Sequence, residues 1–360
     1  MAKVLIKGND AIAQAAVKAG CQCYFGYPIT PQSEIGEYLS GKFPELGRVF
    51  VPAESEVAAI NMLMGAGSTG TMAMTSSSSC GVALMQEGIS AMCCAEVPGV
   101  IVSVMRGGPG LGNIAPTQAD YFQAVKGGGN GDYKVIVLSP STVQEAVDLT
   151  YRAFYLSLKY RNPVMLLAEG LLGQMMEPAE FKEYPYENID TSNWSLNGSG
   201  GRENRQILSL YMADGALEAH VNKIFEKHKL IAQKETSYES YKTEDAKLVI
   251  TAFGTVGRVA KAAVNKAREM GMKVGLFRPI TLVPFPDKAL NNIAQKADMI
   301  LDLELNMGQM LLDVRSAVFG ACPVEFYGRP GGGLLTPDLI FNKVCELYKQ
   351  LDIKTEAGVK

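Results

Sequence analysis

"TMAMTSSSSCGVALMQEGISAMCCAEVPGVIVSVM", residues 71–105, holds two apolar runs, Thr71 to Ser76 and Gly99 to Met105, on either side of a helical period from Cys80 to Ala95. The second run has no apolar–polar alternation. That is the pattern of a strand buried on both faces, which arises where helices cover a parallel sheet. The unit is strand–helix–strand, and its repetition along the chain argues an α/β, doubly wound fold.

Upstream, Asn9 or Asp10 is placed to cap a helix with apolar positions Ile12, Ala15, Ala16 and Ala19, stopped at Gly20. "CYFGY" (23–27) and "RVFVPA" (48–53) read as strands, and "SEVAAINMLMGAG" (55–67) as a helix. Downstream come the strand "KVIVLS" (134–139), the helix "STVQEAVDLTYRAFYLSLKY" (141–160) and the strand "PVMLLAE" (163–169). Residues 177–206 lose the rhythm and are rich in Asn, Ser, Gly, Pro and Glu. A charged, solvated helix is expected around 214–243. Alternation then resumes with "KLVITAFG", "TVGRVAKAAVNKAREMG", "KVGLFRP", "DMILDLELN" and a C-terminal helix. The expected organisation is a first α/β domain over 1–185, a linker and charged helix over 186–245, and a smaller α/β domain over 246–350.

The chain's 360 residues exceed the size at which single cores stop growing, roughly 250 to 300 residues, so two domains are natural. With 34 basic and 37 acidic residues the net charge is -3, which leaves no electrostatic footprint for nucleic acid or an anionic membrane. Seven cysteines without a CxxC pair fit neither a disulfide framework nor a zinc or iron–sulfur signature, and point to a reducing cytoplasm. The apolar run in "MAKVLIKGNDAIAQ" is too short for an export signal or a span. The two histidines, His220 and His228, both lie in the charged segment, so a histidine-based catalytic engine is not expected.

"GAGSTG" (Gly65 to Gly70) matches GxGxxG, but a helix precedes it and a strand follows. A dinucleotide loop needs the reverse order. Ser76, Ser77, Ser78 and Ser79 lie between a strand and a helix, where they either hold an anion or cap the helix. Glu54 and Glu56 open an otherwise apolar helix. They either complement its dipole or place one carboxyl in an apolar pocket. Arg106 ends the run Gly99 to Met105 and opens "RGGPGLGN", where its planar fork suits a carboxylate or phosphate, or else a structural ion pair.

Four segments in order, "GYPITPQSE", "AESEVAAI", "TSSSSCGVALMQEGIS" and "MRGGPGLGN", together resemble the alpha subunit of the thiamine-diphosphate-dependent 2-oxoacid:ferredoxin oxidoreductases, the branched-chain (2-oxoisovalerate) type above all. The resemblance extends to "ITAFGTVGRVAKAA" and "LFRPITLVPFP", similar to the family's transketolase C-terminal-like domain. It implies that the first domain is of the pyrimidine-binding thiamine type. Glu56 matches the family glutamate that hydrogen-bonds N1′ of the aminopyrimidine, so the cofactor can supply its own base. Thr30 matches the threonine that contacts the oxo-acid end of the substrate, and Arg106 the arginine that clamps its carboxylate. Pro28, Ile29, Ser78 and Ser79 fall on the cofactor side, and no residue is implied as a metal ligand.

The chain has only "GDYK" (131–134) where thiamine enzymes carry a GDG motif for diphosphate and Mg²⁺, and it lacks cysteine spacing for a [4Fe–4S] cluster. The resemblance therefore implies half a site. A beta subunit would bring the diphosphate, Mg²⁺ and [4Fe–4S] ligands, small gamma or delta ferredoxin-type subunits would add clusters, and ferredoxin and coenzyme A would complete the reaction. A dicarboxylate such as 2-oxoglutarate would want a second cation, for which Lys126 in "AVKGGGNGD" is the candidate. A monocarboxylic, branched-chain 2-oxoacid is favoured over 2-oxoglutarate or pyruvate, and the alternative to an enzyme is a noncatalytic anion-binding α/β subunit.

Overall fold

The computed structural model describes residues 3–357, with side chains described to residue 351. Its strands are β1 (Val4–Lys7), β2 (Cys23–Gly26), β3 (Val49–Pro52), β4 (Ala73–Ser77), β5 (Gly99–Met105), β6 (Ile136–Leu138), β7 (Pro163–Glu169), β8 (Met176–Ala179), β9 (Tyr238–Tyr241), β10 (Leu248–Thr251), β11 (Val274–Pro279), β12 (Thr281–Val283), β13 (Met299–Glu304) and β14 (Val324–Gly328).

A seven-stranded sheet runs β12-β6-β7-β5-β4-β2-β3, parallel throughout except for β12, which pairs antiparallel with β6. The chain is α/β with a doubly wound parallel sheet. Every residue of β5 and β7 is buried, as their unalternating composition requires, and they pair from Gly99↔Pro163 to Met105↔Glu169. Successive residues of β5 feed opposite cores. Val100, Val102 and Val104 pack with Ile12, Ala16 and Phe154, while Ile101 and Met105 share a core with Ile60, Leu63 and Met85.

The second sheet, β14-β13-β10-β11-β9, is parallel except for β9, antiparallel to β11. Its Val249, Phe253 and Phe277 belong to the same apolar core as Ile101 and Met105, so the two sheets are joined through buried side chains. An ionic clamp adds to this. Arg278, 3% exposed, holds Glu145 with two hydrogen bonds of 2.6 and 3.0 Å and Glu239 with one of 2.9 Å.

Two sequence expectations change. The charged segment is not a solvated helix to residue 243. It is the helix Ala216–Glu235 followed by β9, and its buried Ile224, Ile231 and Glu235 dock it onto the first sheet's helices. There Lys227 meets Glu96 at 3.3 Å, and His220 Nε2 lies 2.7 Å from the carbonyl of Cys94. His228 is half-buried, and burial pushes its pKa down to about 4. The first helix spans Gly8–Ala19, so Asn9 and Asp10 lie inside it and neither caps it. Within "GAGSTG", Gly67 has a packing role: a Cβ there would sit 2.1 Å from the carbonyl oxygen of Pro98. No helix among the described residues is long and apolar enough to cross a membrane.

Candidate active site

In a parallel sheet all carboxyl ends open on one side. Four neighbouring strands, β3, β2, β4 and β5, deliver there the segments Ala53–Glu56, Tyr27–Gln32, Ser78–Cys80 and Arg106. Sequence positions spread over 80 residues thus meet at one edge.

Glu56 is the first residue of the helix Glu56–Ser68, whose N-cap Ser55 accepts the N–H of Ala58 at 3.2 Å. Cap geometry turns Glu56 inward, 5% exposed, and leaves Glu54 to solvent. Its carboxyl accepts one long hydrogen bond, 3.4 Å from Ser77 Oγ, and no basic group among the described residues lies within ion-pairing distance. The carboxyl can take this position because residue 81 is glycine. A Cβ there would fall 2.3 Å from Glu56 Oε1 and 2.1 Å from Ser77 Oγ.

Arg106 makes no ion pair among the described residues. Its Nη1 donates to the carbonyl of Thr30 at 3.1 Å, its Nη2 donates to the carbonyl of Leu111 at 3.3 Å and to Cys80 Sγ at 3.2 Å, and its buried Nε has no partner. A full positive charge satisfied only by neutral acceptors is a site that a carboxylate would improve. Thr30 itself is exposed, as is Pro28, and Ile29 is half-buried.

The four serines divide the work. Ser76 Oγ bridges the Tyr24 hydroxyl at 2.7 Å and Gln32 Oε1 at 2.5 Å, and Ser77 reaches Glu56. Ser78 stands at the N-cap of the helix Ser79–Cys94 but makes no cap bond, and its fully buried hydroxyl has no partner. Ser79 has φ +24°, in the left-handed region, and its hydroxyl donates to Asp120 Oδ2 at 2.5 Å. Neither Ser78 nor Ser79 caps the helix through its side chain.

Sequence reasoning missed the supports. Asn9, fully buried, donates to the carbonyl of Pro31 at 2.7 Å and to Glu34 Oε2 at 2.8 Å, pinning the "YPITP" loop. Asp120 underlies Ser79, and burial pushes its pKa up to about 6 against the lowering effects of Ser79 and Arg106. Glu169, at the end of β7, is fully buried. Burial raises its pKa to about 7, while Gln118 Nε2 at 2.7 Å and the Thr255 N–H at 3.1 Å hold its Oε1. Lys126 is ion-paired with Asp313 and is not free to serve the site. A groove of about 310 Å³ lined by Tyr24, Tyr27, Gln32 and Phe50 opens beside the loop. A larger one, about 600 Å³, lies among Tyr151, Tyr155, Tyr184 and Tyr186, and none of the strand-end segments lines it.

These loops all lie in a part of the chain that matches a thiamine diphosphate-binding family model. The family model described as pyruvate flavodoxin/ferredoxin oxidoreductase, thiamine diphosphate-binding, matches residues 14–207, and that of pyruvate:ferredoxin oxidoreductase core domain II matches 246–340. The chain belongs to the 2-oxoacid:ferredoxin oxidoreductase family. It is 48% identical to the ketoisovalerate oxidoreductase subunit VorB of Methanothermobacter marburgensis, over 96% of this chain and 98% of that one. It is 33% identical to the 2-oxoglutarate synthase subunit KorA of Methanothermobacter thermautotrophicus, over the same shares. Among solved structures, the 2-oxoglutarate:ferredoxin oxidoreductase from Magnetococcus marinus, with 2-oxoglutarate, coenzyme A and succinyl-CoA bound, matches with TM-score 0.85 at 26% identity. That match covers 96% of this chain and 65% of the other, longer one. A split-gene transketolase, an inactive beta4 tetramer, matches with TM-score 0.60 at 13% identity and shows the fold alone.

The residues present fit a thiamine pyrimidine. A buried carboxyl carries one long hydrogen bond, a buried hydroxyl at Ser78 has no partner, and Gly81 makes room for the Glu56 carboxyl at this edge.

Proposed function

We propose that this chain is the pyrimidine-side subunit of an enzyme that converts a branched-chain 2-oxoacid, coenzyme A and oxidised ferredoxin into acyl-CoA, carbon dioxide and reduced ferredoxin. The observation that carries it is that neighbouring strand ends bring Glu56, bonded by Ser77, and Arg106, bonded through its main chain to Ser79 and through its guanidinium to the carbonyl of Thr30, to the same edge of the sheet. The carboxyl and the guanidinium each make no ion pair among the described residues.

When bound, thiamine diphosphate supplies a carbon nucleophile and an electron sink. Glu56 would hold the proton shared with N1′ of the pyrimidine, and its burial keeps water from competing for that bond. Arg106 exchanges its carbonyl partners for the carboxylate of the 2-oxoacid, and the Thr30 hydroxyl orients the oxo end. Pro28, Ile29 and the backbone at Ser78 and Ser79 line the cofactor side, with the Ser78 hydroxyl free to bond it. Residues 1–185 act as the pyrimidine-type domain and 246–350 as the transketolase C-terminal-like domain.

Three further elements belong to this reading. The diphosphate, Mg²⁺ and [4Fe–4S] ligands come from a beta subunit, a reading supported by the sequence, which carries "GDYK" where thiamine enzymes carry a GDG motif. Relatives named as subunits support an obligate hetero-oligomer, in which small gamma or delta ferredoxin-type subunits pass electrons to ferredoxin. The described cysteines are all free, which suits a reducing cytoplasm. A branched-chain substrate is supported by the likeness to ketoisovalerate oxidoreductase subunits and by the pairing of Lys126 with Asp313, which removes the candidate second cation.

The test is substrate profiling of the complex captured on a tagged copy of this chain, with viologen as electron acceptor. Turnover of 2-oxoisovalerate well above 2-oxoglutarate and pyruvate is expected. A preference for 2-oxoglutarate overturns the substrate, and absence of turnover with every 2-oxoacid favours a noncatalytic subunit.

A further inference from the structure

We infer that Asp120 is a positioning residue for the substrate-carboxylate site: through the Ser79 hydroxyl it fixes the main chain of Arg106 and so the direction of the guanidinium. The inference rests on Arg106 being the carboxylate clamp.

Three observations converge. Asp120 is 9% exposed, makes no ion pair among the described residues, and spends Oδ2 on a 2.5 Å hydrogen bond from Ser79 Oγ. The same Ser79 oxygen accepts the backbone N–H of Arg106 at 3.0 Å. The carbonyl of Arg106 is held from the other side by Thr117 Oγ1 at 2.8 Å, so both polar atoms of this residue's main chain are tied down by side chains. Ser79 adopts φ +24° to do this, and Gln123 Nε2 supports its carbonyl at 3.1 Å.

Each choice is locally unfavourable. A carboxylate buried without a direct ion pair is costly, the charge of Arg106 offsetting only part of that cost, and so is a serine in the left-handed region. Two such costs meeting on one arginine indicate a constraint that packing alone does not require. The charge of Asp120 argues against a simple electrostatic role. A negative group beside the guanidinium weakens the pull on a substrate carboxylate, so removing the charge alone would lower KM. Positioning predicts the opposite sign.

The experiment is a double-mutant cycle on the intact complex, reading KM for the 2-oxoacid and kcat separately. Asp120→Ala is expected to raise KM by about tenfold with kcat changed far less, Asp120→Asn to fall between, because Asn keeps an acceptor oxygen, and Asp120→Ala to add nothing in an Arg106→Met background. If Arg106→Met leaves KM unchanged, the clamp assignment itself fails. If Arg106→Met raises KM but Asp120→Ala lowers it, leaves it, or adds its full effect on top, Asp120 does not act through Arg106. Should Asp120→Ala fail to assemble, Ser79→Ala removes only the connecting hydroxyl and enters the same cycle with the same expected outcome, and an unchanged or fully additive KM there overturns the inference.

Discussion

The Cβ that Gly81 lacks would lie 2.3 Å from Oε1 of Glu56, closer than any real side chain approaches another. A glycine two residues into one helix thus keeps open the space used by the first residue of another. Gly81→Ala should displace the Glu56 carboxyl by the order of an ångström, and misplacement on that scale costs about 10²-fold in rate. The check is viologen reduction together with thermal unfolding. Activity should fall by about that factor while the melting temperature moves little, and wild-type turnover would show that Glu56 has no exacting position.

Arg106→Met keeps the bulk of the side chain and removes its charge and fork. Truncating one partner of a buried charge-assisted pair costs about 2 to 5 kcal/mol, so KM for the 2-oxoacid should rise by about 30-fold or more. Steady-state kinetics on the purified complex decide this. An unchanged KM would take Arg106 out of the substrate site.

Glu169 makes stability depend on pH. Its carboxyl has an ordinary value of 4.5 and is pushed up to about 7 by burial beneath Gly254 and Thr255. A raised folded-state value means full stability below about pH 4.5, progressively lost as pH rises through 7, because the unfolded chain releases its proton first. Thermal midpoints of wild type and Glu169→Gln measured from pH 5 to 8 should diverge, with the wild type losing ground as pH rises. Parallel curves would mean that Glu169 keeps its ordinary acidity.

How much of this was legible in the sequence depends on the distance over which the cause acts. β5 and β7 could be read because burial on both faces leaves an uninterrupted apolar run. Arg106 could be placed because it directly ends such a run. The charged helix was read as solvated because its buried stripe is thin, with Ile224 and Ile231 seven residues apart and Lys227 between them turned to Glu96. The residues alone left Glu54 and Glu56 open and the family resemblance pointed to Glu56; the Ser55 cap supplies the physical reason that this carboxyl turns inward. Asn9 looked like a cap and proved to be the anchor of Pro31, a contact across 22 positions. Asp120 and Ser79 are 41 residues apart and meet only because β4 and β5 are neighbours in the sheet. Such pairings belong to topology, and no local pattern announces them.

The central claim is that Glu56 is the proton partner of the thiamine pyrimidine, and Glu56→Gln in the assembled complex tests it most directly. Gln keeps the shape and loses the ability to share an acidic proton. Viologen reduction dependent on 2-oxoacid should fall by about 10³-fold while subunit assembly and the melting temperature are retained. Turnover within a few-fold of wild type would contradict the account.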